Sequence, residues 1–244
     1  MEESLGITNL LNRLFAGPVD ALLLRLGVHP AYPAAPIDDT FTVELLVVLG
    51  FIAFFILVRA TLSVEKPKPP QQFAELINEF IGGQAHSIIG HGYERFQPFV
   101  TCLFLFILTS NLLGLVPGIH APTQVATVPF GLAILVFIYY NFYGFKDQGF
   151  FGYLKHFAGP VWWIAWLLFP IEIISNLARM MSLTIRLWAN MFAGDLVTLV
   201  FFSLVPVAIP VVFLALHILV SVVQALVFTL LPMIYLSEAT RHEH

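Results

Sequence analysis

From Pro160 to Val205 the chain is apolar for 46 residues, yet this stretch carries Glu172, Arg179, Arg186, Asn190 and Asp195. As one straight helix it would be about 69 Å long, against a bilayer hydrocarbon core of about 30 Å. In lipid every backbone polar group must be satisfied within the segment, which selects helix. The helix must then tilt steeply, bend, or both. The charges are the second constraint. An ionised group at bilayer depth costs from about 3 to more than 10 kcal/mol, and it persists only where it meets a partner or water. Arg186 is the most central of them, so it marks an ion or proton path.

Composition agrees with a membrane chain. Hydrophobic residues make up 59% and charged residues 11% of 244 positions, with a mean hydropathy of +0.88; soluble domains carry about 25% charge. Cys102 is the only cysteine, so no intrachain disulfide can form. The start, MEESLGITNLLNRLF, lacks the basic region and apolar core of a signal peptide, and it is acidic where a transit peptide is Arg-rich. No Walker loop, zinc-ligand set or nucleophile motif is present. The reading therefore expects no enzyme chemistry in this chain, no cofactor, no metal and no nucleic-acid partner. His242 and His244 resemble a metal pair by composition only.

The pattern predicts an all-α integral membrane protein. Residues 1–40 form an N-terminal extracytoplasmic segment, with a weakly amphipathic helix over 5–27 and a loop rich in Pro and Ala. Residues 41–244 form the membrane domain, with five embedded elements at about 41–64, 96–116, 125–143, 160–205 and 210–238. The last two form a long, steeply tilted hairpin. Residues 71–91 place Phe73, Leu76, Ile77, Phe80 and Ile81 at helical spacing, which predicts an amphipathic helix lying on the membrane surface or packed on a neighbour. Of 11 Lys and Arg residues, seven fall in segments assigned to the cytoplasm, two outside and two within the membrane. This positive-inside bias puts the N-terminus outside and the C-terminus in the cytoplasm.

Helical geometry sorts the polar residues. At about 100° per residue, Glu172, Arg179 and Arg186 lie within roughly 40° of one another, with Asn190 near the stripe. Ser182, Ala189 and Ala193 flank it, and small side chains let another helix approach closely. Asp195 points about 180° away from Arg186 and about 13 Å further along the axis, while Glu172 lies about 21 Å off in the other direction. Arg186 thus separates two polar regions. In the last element His217, Ser221, Gln224 and Tyr235 share a face, and an antiparallel hairpin brings His217 to the depth of Asp195. Two roles stay open for Arg179, snorkelling to the headgroups or joining the path. Tyr235 also suits an interface belt.

The run SLTIRLWANMFAGD (Ser182 to Asp195) closely resembles the signature of subunit a of F-type ATP synthases. TSNLLGLVPG (Thr109 to Gly118) and HILVSVVQALVFTLLPMIYL (His217 to Leu236) are similar to two further motifs, in family order. Met180 follows Arg179 where the family often has proline. The resemblance implies a stator beside a ring of c subunits that carry membrane-embedded carboxylates, with subunit b of the peripheral stalk and other ATP synthase subunits as partners. It implies Arg186 as the essential arginine. Asn190, Asp195, His217 and Gln224 would be the outer half-channel and Glu172 part of the inner one; Arg179, Ser182, Ser221 and Tyr235 are secondary candidates by their place on the two helix faces, not by the resemblance. A bacterial plasma membrane is the expected location, an organelle membrane the alternative. Two readings compete: a self-contained ion channel or secondary transporter, which would conduct alone and often shows inverted repeats, and a purely structural anchor, which would tolerate loss of Arg186.

Overall fold

The computed structural model describes residues 6–25, 27, 35–63, 66–116, 119–158, 162–204 and 208–240, without the side chains of 150–158, 162–165, 202–204 and 208–210. The Pro30–Pro33 stretch, the hairpin turn near Pro206 and the tail with Arg241, His242 and His244 lie outside the described residues. Among those described there are seven α-helices and no strand.

Helix α1 (Gly6–Arg25) is tied to the start of α2 (Asp39–Ala60). The Thr8 hydroxyl donates to Asp39 Oδ1 at 2.5 Å, and Asn12 exchanges two hydrogen bonds with the Ile37 backbone at 2.9 and 3.0 Å. Asp38 caps α2 by accepting from the Phe41 N–H at 2.9 Å, an arrangement worth about 1 kcal/mol. Helix α3 (Pro69–Ile89) opens on two prolines, whose missing N–H groups cost nothing in a first turn. Of its expected apolar face, Ile81 is buried and Ile77 half-buried, whereas Phe73, Leu76 and Phe80 are exposed. The apolar arc is therefore wider than the surface it packs on. Gly90 and Gly92, at φ 78° and 83°, turn the chain toward α4 (Gln97–Leu113) through a left-handed region that only glycine enters readily.

Helix α4 is shorter than the sequence suggests. Its 17 residues cover about 26 Å. It ends because the chain folds back at Gly114, where a Cβ would sit 2.5 Å from that of Ala121. Helix α5 (Thr127–Ala158) is longer than the embedded element expected over 125–143: past Tyr143 the chain continues as helix, with a kink at Gly149, at φ 73° and ψ 161°. Helices α6 (Trp162–Leu204, 43 residues) and α7 (Ala208–Thr240, 33 residues) each run through an internal proline, Pro170 and Pro232. Among the described residues four helical stretches are long and apolar enough to cross a membrane: Asp39–Ala60, Thr127–Gly149, Trp166–Phe201 and Val211–Thr240.

The core lies where α3, α4, α5, α6 and α7 meet. Leu183, Leu187 and Met191 of α6, one turn apart, pack with Phe228 and Met233 of α7, Ile107 of α4 and Val136 of α5. Burying one stripe of α6 fixes its rotation, and that rotation decides where Arg186 points.

Candidate functional site

With Leu187 turned inward, Arg186 falls on the flank of α6 and is exposed. Its guanidinium lies 3.5 Å from the Ser182 hydroxyl one turn earlier, at the outer limit of a hydrogen bond. Ser182 and Ala193 beside it are exposed and Ala189 is half-buried. Among the described residues no helix covers this face.

Towards the C-terminal half of α6 the polar groups turn to α7. Asn190 Nδ2 donates to Gln224 Oε1 at 2.8 Å. Gln224 is only 3% exposed, and its Nε2 finds no partner among the described residues. His217 is 5% exposed and its ring lies against Gly194; a Cβ there would come 3.1 Å from both Cε1 and Nε2. Glycine is what admits the imidazole. Asp195, half-buried, follows Gly194 directly, and among the described residues no direct hydrogen bond joins it to His217. The structure thus brings Asp195 and His217 to one place, as the hairpin register requires, through space rather than contact.

The same cluster extends into α4, which residue patterning did not reveal. Asn111, wholly buried, donates to the Ser221 carbonyl at 3.4 Å and accepts from the Thr123 hydroxyl at 2.7 Å. Ser110 Oγ and Gln124 Nε2 are buried without partners among the described residues. An unsatisfied buried polar atom costs about 1–3 kcal/mol, so those on α4, on the Pro122–Gln124 turn and on α7 mark a polar seam, not packing. The only sequence signal was the motif around Asn111. Its depth and its partner 110 residues away follow from tertiary packing.

A second cluster lies on the N-terminal side of Arg186. Arg179 is not free: Nη1 lies 2.5 Å from Glu238 Oε2, and the guanidinium sits 5.1 Å over the Tyr235 ring. Tyr140 OH donates to Asn176 Oδ1 at 2.7 Å, and Asn176 Nδ2 donates to the Glu172 carbonyl at 3.0 Å. Glu172 itself is half-buried, within electrostatic reach of Arg179. Sequence reasoning overlooked Tyr140, Asn176 and Glu238. Glu238 was findable, since it lies three residues after Tyr235 on the same helix face. Among the described residues no group of three His, Cys, Asp or Glu side chains could hold a metal ion.

Apolar helices of this length, carrying two polar clusters on either side of an exposed arginine, define a multi-pass helical membrane protein. Residues 41–237 match the ATP synthase A chain family. The chain is 50% identical over 244 residues to the ATP synthase subunit a of Koribacter versatilis, covering 100% of both chains. It is 44% identical over 233 residues to that of Solibacter usitatus, covering 96% of this chain and 99% of the relative. With that of Bdellovibrio bacteriovorus it shares 44% over 171 residues, 70% of this chain and 74% of the other. The chain belongs to the ATP synthase A chain family, the non-catalytic membrane subunit a of that complex.

Proposed function

We propose that this chain is the proton-translocating stator of an F-type ATP synthase, providing two aqueous half-channels that meet the rotor on either side of Arg186. One observation carries the reading: Arg186 is exposed on a small-residue face that no helix covers among the described residues, while separate polar clusters lie on its two sides along α6. A ring of c subunits is the occupant of that face, and subunit b attaches elsewhere on the chain. The setting is a bacterial plasma membrane with the N-terminus outside. Five helices, α2 and α4 to α7, are embedded, α3 lies at the surface, and α6 with α7 forms a steeply tilted hairpin. A 43-residue helix is about 64 Å long, twice the hydrocarbon thickness.

In this reading the outer half-channel runs along Asp195, His217, Asn190 and Gln224, with Asn111, Thr123 and Ser221 as its wall. The inner one passes Glu172, and the tie between Arg179 and Glu238 stands at its mouth. A rotor carboxylate facing lipid must be neutral, because an unpaired charge there is too costly. Beside Arg186 the opposite charge favours the ionised form. A proton delivered past Asp195 and His217 neutralises the site, which then turns into lipid. After nearly a full revolution it returns on the inner side, ionises in the arginine field, and its proton leaves past Glu172. Arg186 also bars direct passage between the half-channels. A charge crossing 100 mV carries about 2.3 kcal/mol, all of which a leak would dissipate.

Proton-driven ATP synthesis in membrane vesicles tests this. Arg186→Ala is expected to abolish synthesis. Arg186→Lys is expected to fail as well, since an ammonium is a point charge that deprotonates when buried, whereas a guanidinium stays charged. Near-normal synthesis with Arg186→Ala would refute the assignment.

A further inference from the structure

Where the end of α3, the turn that follows it, α5 and the end of α7 converge, there is a cavity of about 680 Å³ that takes no part in the proposed path. Its polar lining comes from Ser87, His91, Arg95, Lys146, Ser237 and Thr240, with Asp147 as the one carboxylate. The volume is within the range of small-ligand sites. From these residues we infer that the cavity binds the phosphate headgroup of an anionic phospholipid.

The donors are prepared for a phosphate. Arg95 meets both carboxylate oxygens of Asp147, which leaves three of its five N–H donors outstanding. The Phe96 ring lies 4.4 Å under the guanidinium and restrains its plane. Lys146 has no ion pair among the described residues; its ammonium rests 5.7 Å from the centre of the Tyr143 ring. Arg95 and Lys146 against Asp147 leave one net positive charge among these three side chains. Carbonyl groups ending α3 and α7 oppose an anion, and so does Glu94 on the adjoining turn. The attraction therefore rests on the two cations, and Lys146 is the one not already engaged.

The level of the cavity selects a lipid over a soluble anion. Lys146 lies in the last turn of the stretch Thr127–Gly149, and Thr240 ends Val211–Thr240, two of the apolar stretches able to cross a membrane. Arg95 comes just before the start of α4 at Gln97. One end of each of the apolar helices α4 and α7 thus lies beside the cavity, α5 passes it just before its kink at Gly149, and Ile88 and Ile89 are in its lining. This placement rests on the membrane topology proposed above, which puts these ends at the cytoplasmic headgroups. Basic pockets between helices on that side suit anionic headgroups.

Native mass spectrometry of the full chain in neutral detergent tests the site, with phosphatidylglycerol, phosphatidylcholine or inorganic phosphate added in turn. Phosphatidylglycerol is expected to be retained in preference to phosphatidylcholine. Lys146→Gln should weaken that retention about fivefold, the effect of one cation near a surface. Asp147→Asn should strengthen it, because it frees the Arg95 fork; damage to the fold could only weaken binding. Equal retention of the two lipids, or no change in either variant, would overturn the inference. Displacement by inorganic phosphate at matched concentration would overturn it too, by making this a soluble-anion site. The assay involves no rotor and no proton flow, so its failure would leave the stator reading intact.

Discussion

Gly194→Ala is the sharpest perturbation of the outer half-channel, because it adds one carbon and removes nothing. The new Cβ would stand 3.1 Å from Cε1 and Nε2 of His217 and 3.3 Å from Cδ2. Carbon contacts prefer about 3.5–4.0 Å, so the ring must retreat by several tenths of an ångström. His217 is buried and has little room to do so. Overpacking of this kind costs about 1–3 kcal/mol, while alanine regains about 1 kcal/mol in helix propensity. The net loss of stability is thus about 0–2 kcal/mol, and the complex should still assemble. If the strain is relieved by moving the imidazole, the working position becomes less populated by a factor of about five to more than a hundred. Passive proton uptake through the rotor-containing membrane sector, in vesicles stripped of the catalytic head and driven by a potassium diffusion potential, reads that factor. A double substitution, Gly194→Ala with His217→Ala, should lose no more than His217→Ala alone, since both act on one ring. Normal uptake in Gly194→Ala at normal subunit content would refute the reasoning, for the proton would then be passing elsewhere.

Other outcomes follow from the same geometry. Ser110→Ala removes a buried hydroxyl that has no partner among the described residues; thermal stability should not fall, because the unpaired group itself costs about 1–3 kcal/mol, while passive proton uptake slows. Gln224→Leu strips Asn190 of its acceptor across the hairpin; the loss, measured by unfolding in detergent, should be close to the 0.6 kcal/mol typical of such bonds in membranes, well short of 2. Arg179→Gln and Glu238→Gln break an ion pair whose partners are 28% and 51% exposed; each should cost less than about 1 kcal/mol, so both subunits assemble. ATP synthesis should then fall more in either single variant than in the double, which leaves no unpaired charge.

The helices were legible because apolar length is a local property. The small-residue face beside Arg186 was legible for a related reason, since helical spacing puts Ser182, Ala189 and Ala193 there; the buried stripe of Leu183, Leu187 and Met191 that fixes the rotation of α6 follows from packing. Helix ends were harder. Gly114 stops α4 through a contact with Ala121, and Gly149 bends α5 well beyond Tyr143; neither glycine differs in sequence from one that does nothing. The site divided the same way. Asp195 with His217 followed from hairpin register, because two helices of known pitch and opposite direction fix depth. Asn111 with Ser221, and Tyr140 with Asn176, join helices whose relative placement no single-helix pattern encodes. Gly194 had a legible reason only once His217 was seen against it.

Cysteine crosslinking from the exposed face of α6 decides whether a rotor occupies it. In a background with Cys102→Ala, single cysteines at Ser182, Ala189 and Ala193 are paired with cysteines next to the rotor carboxylate. Disulfides from all three α6 positions, and none from a control at Leu49 on the exposed side of α2, are the predicted result. Absence of α6 crosslinks, with Arg186 instead reached by headgroup-level probes, would contradict the stator reading.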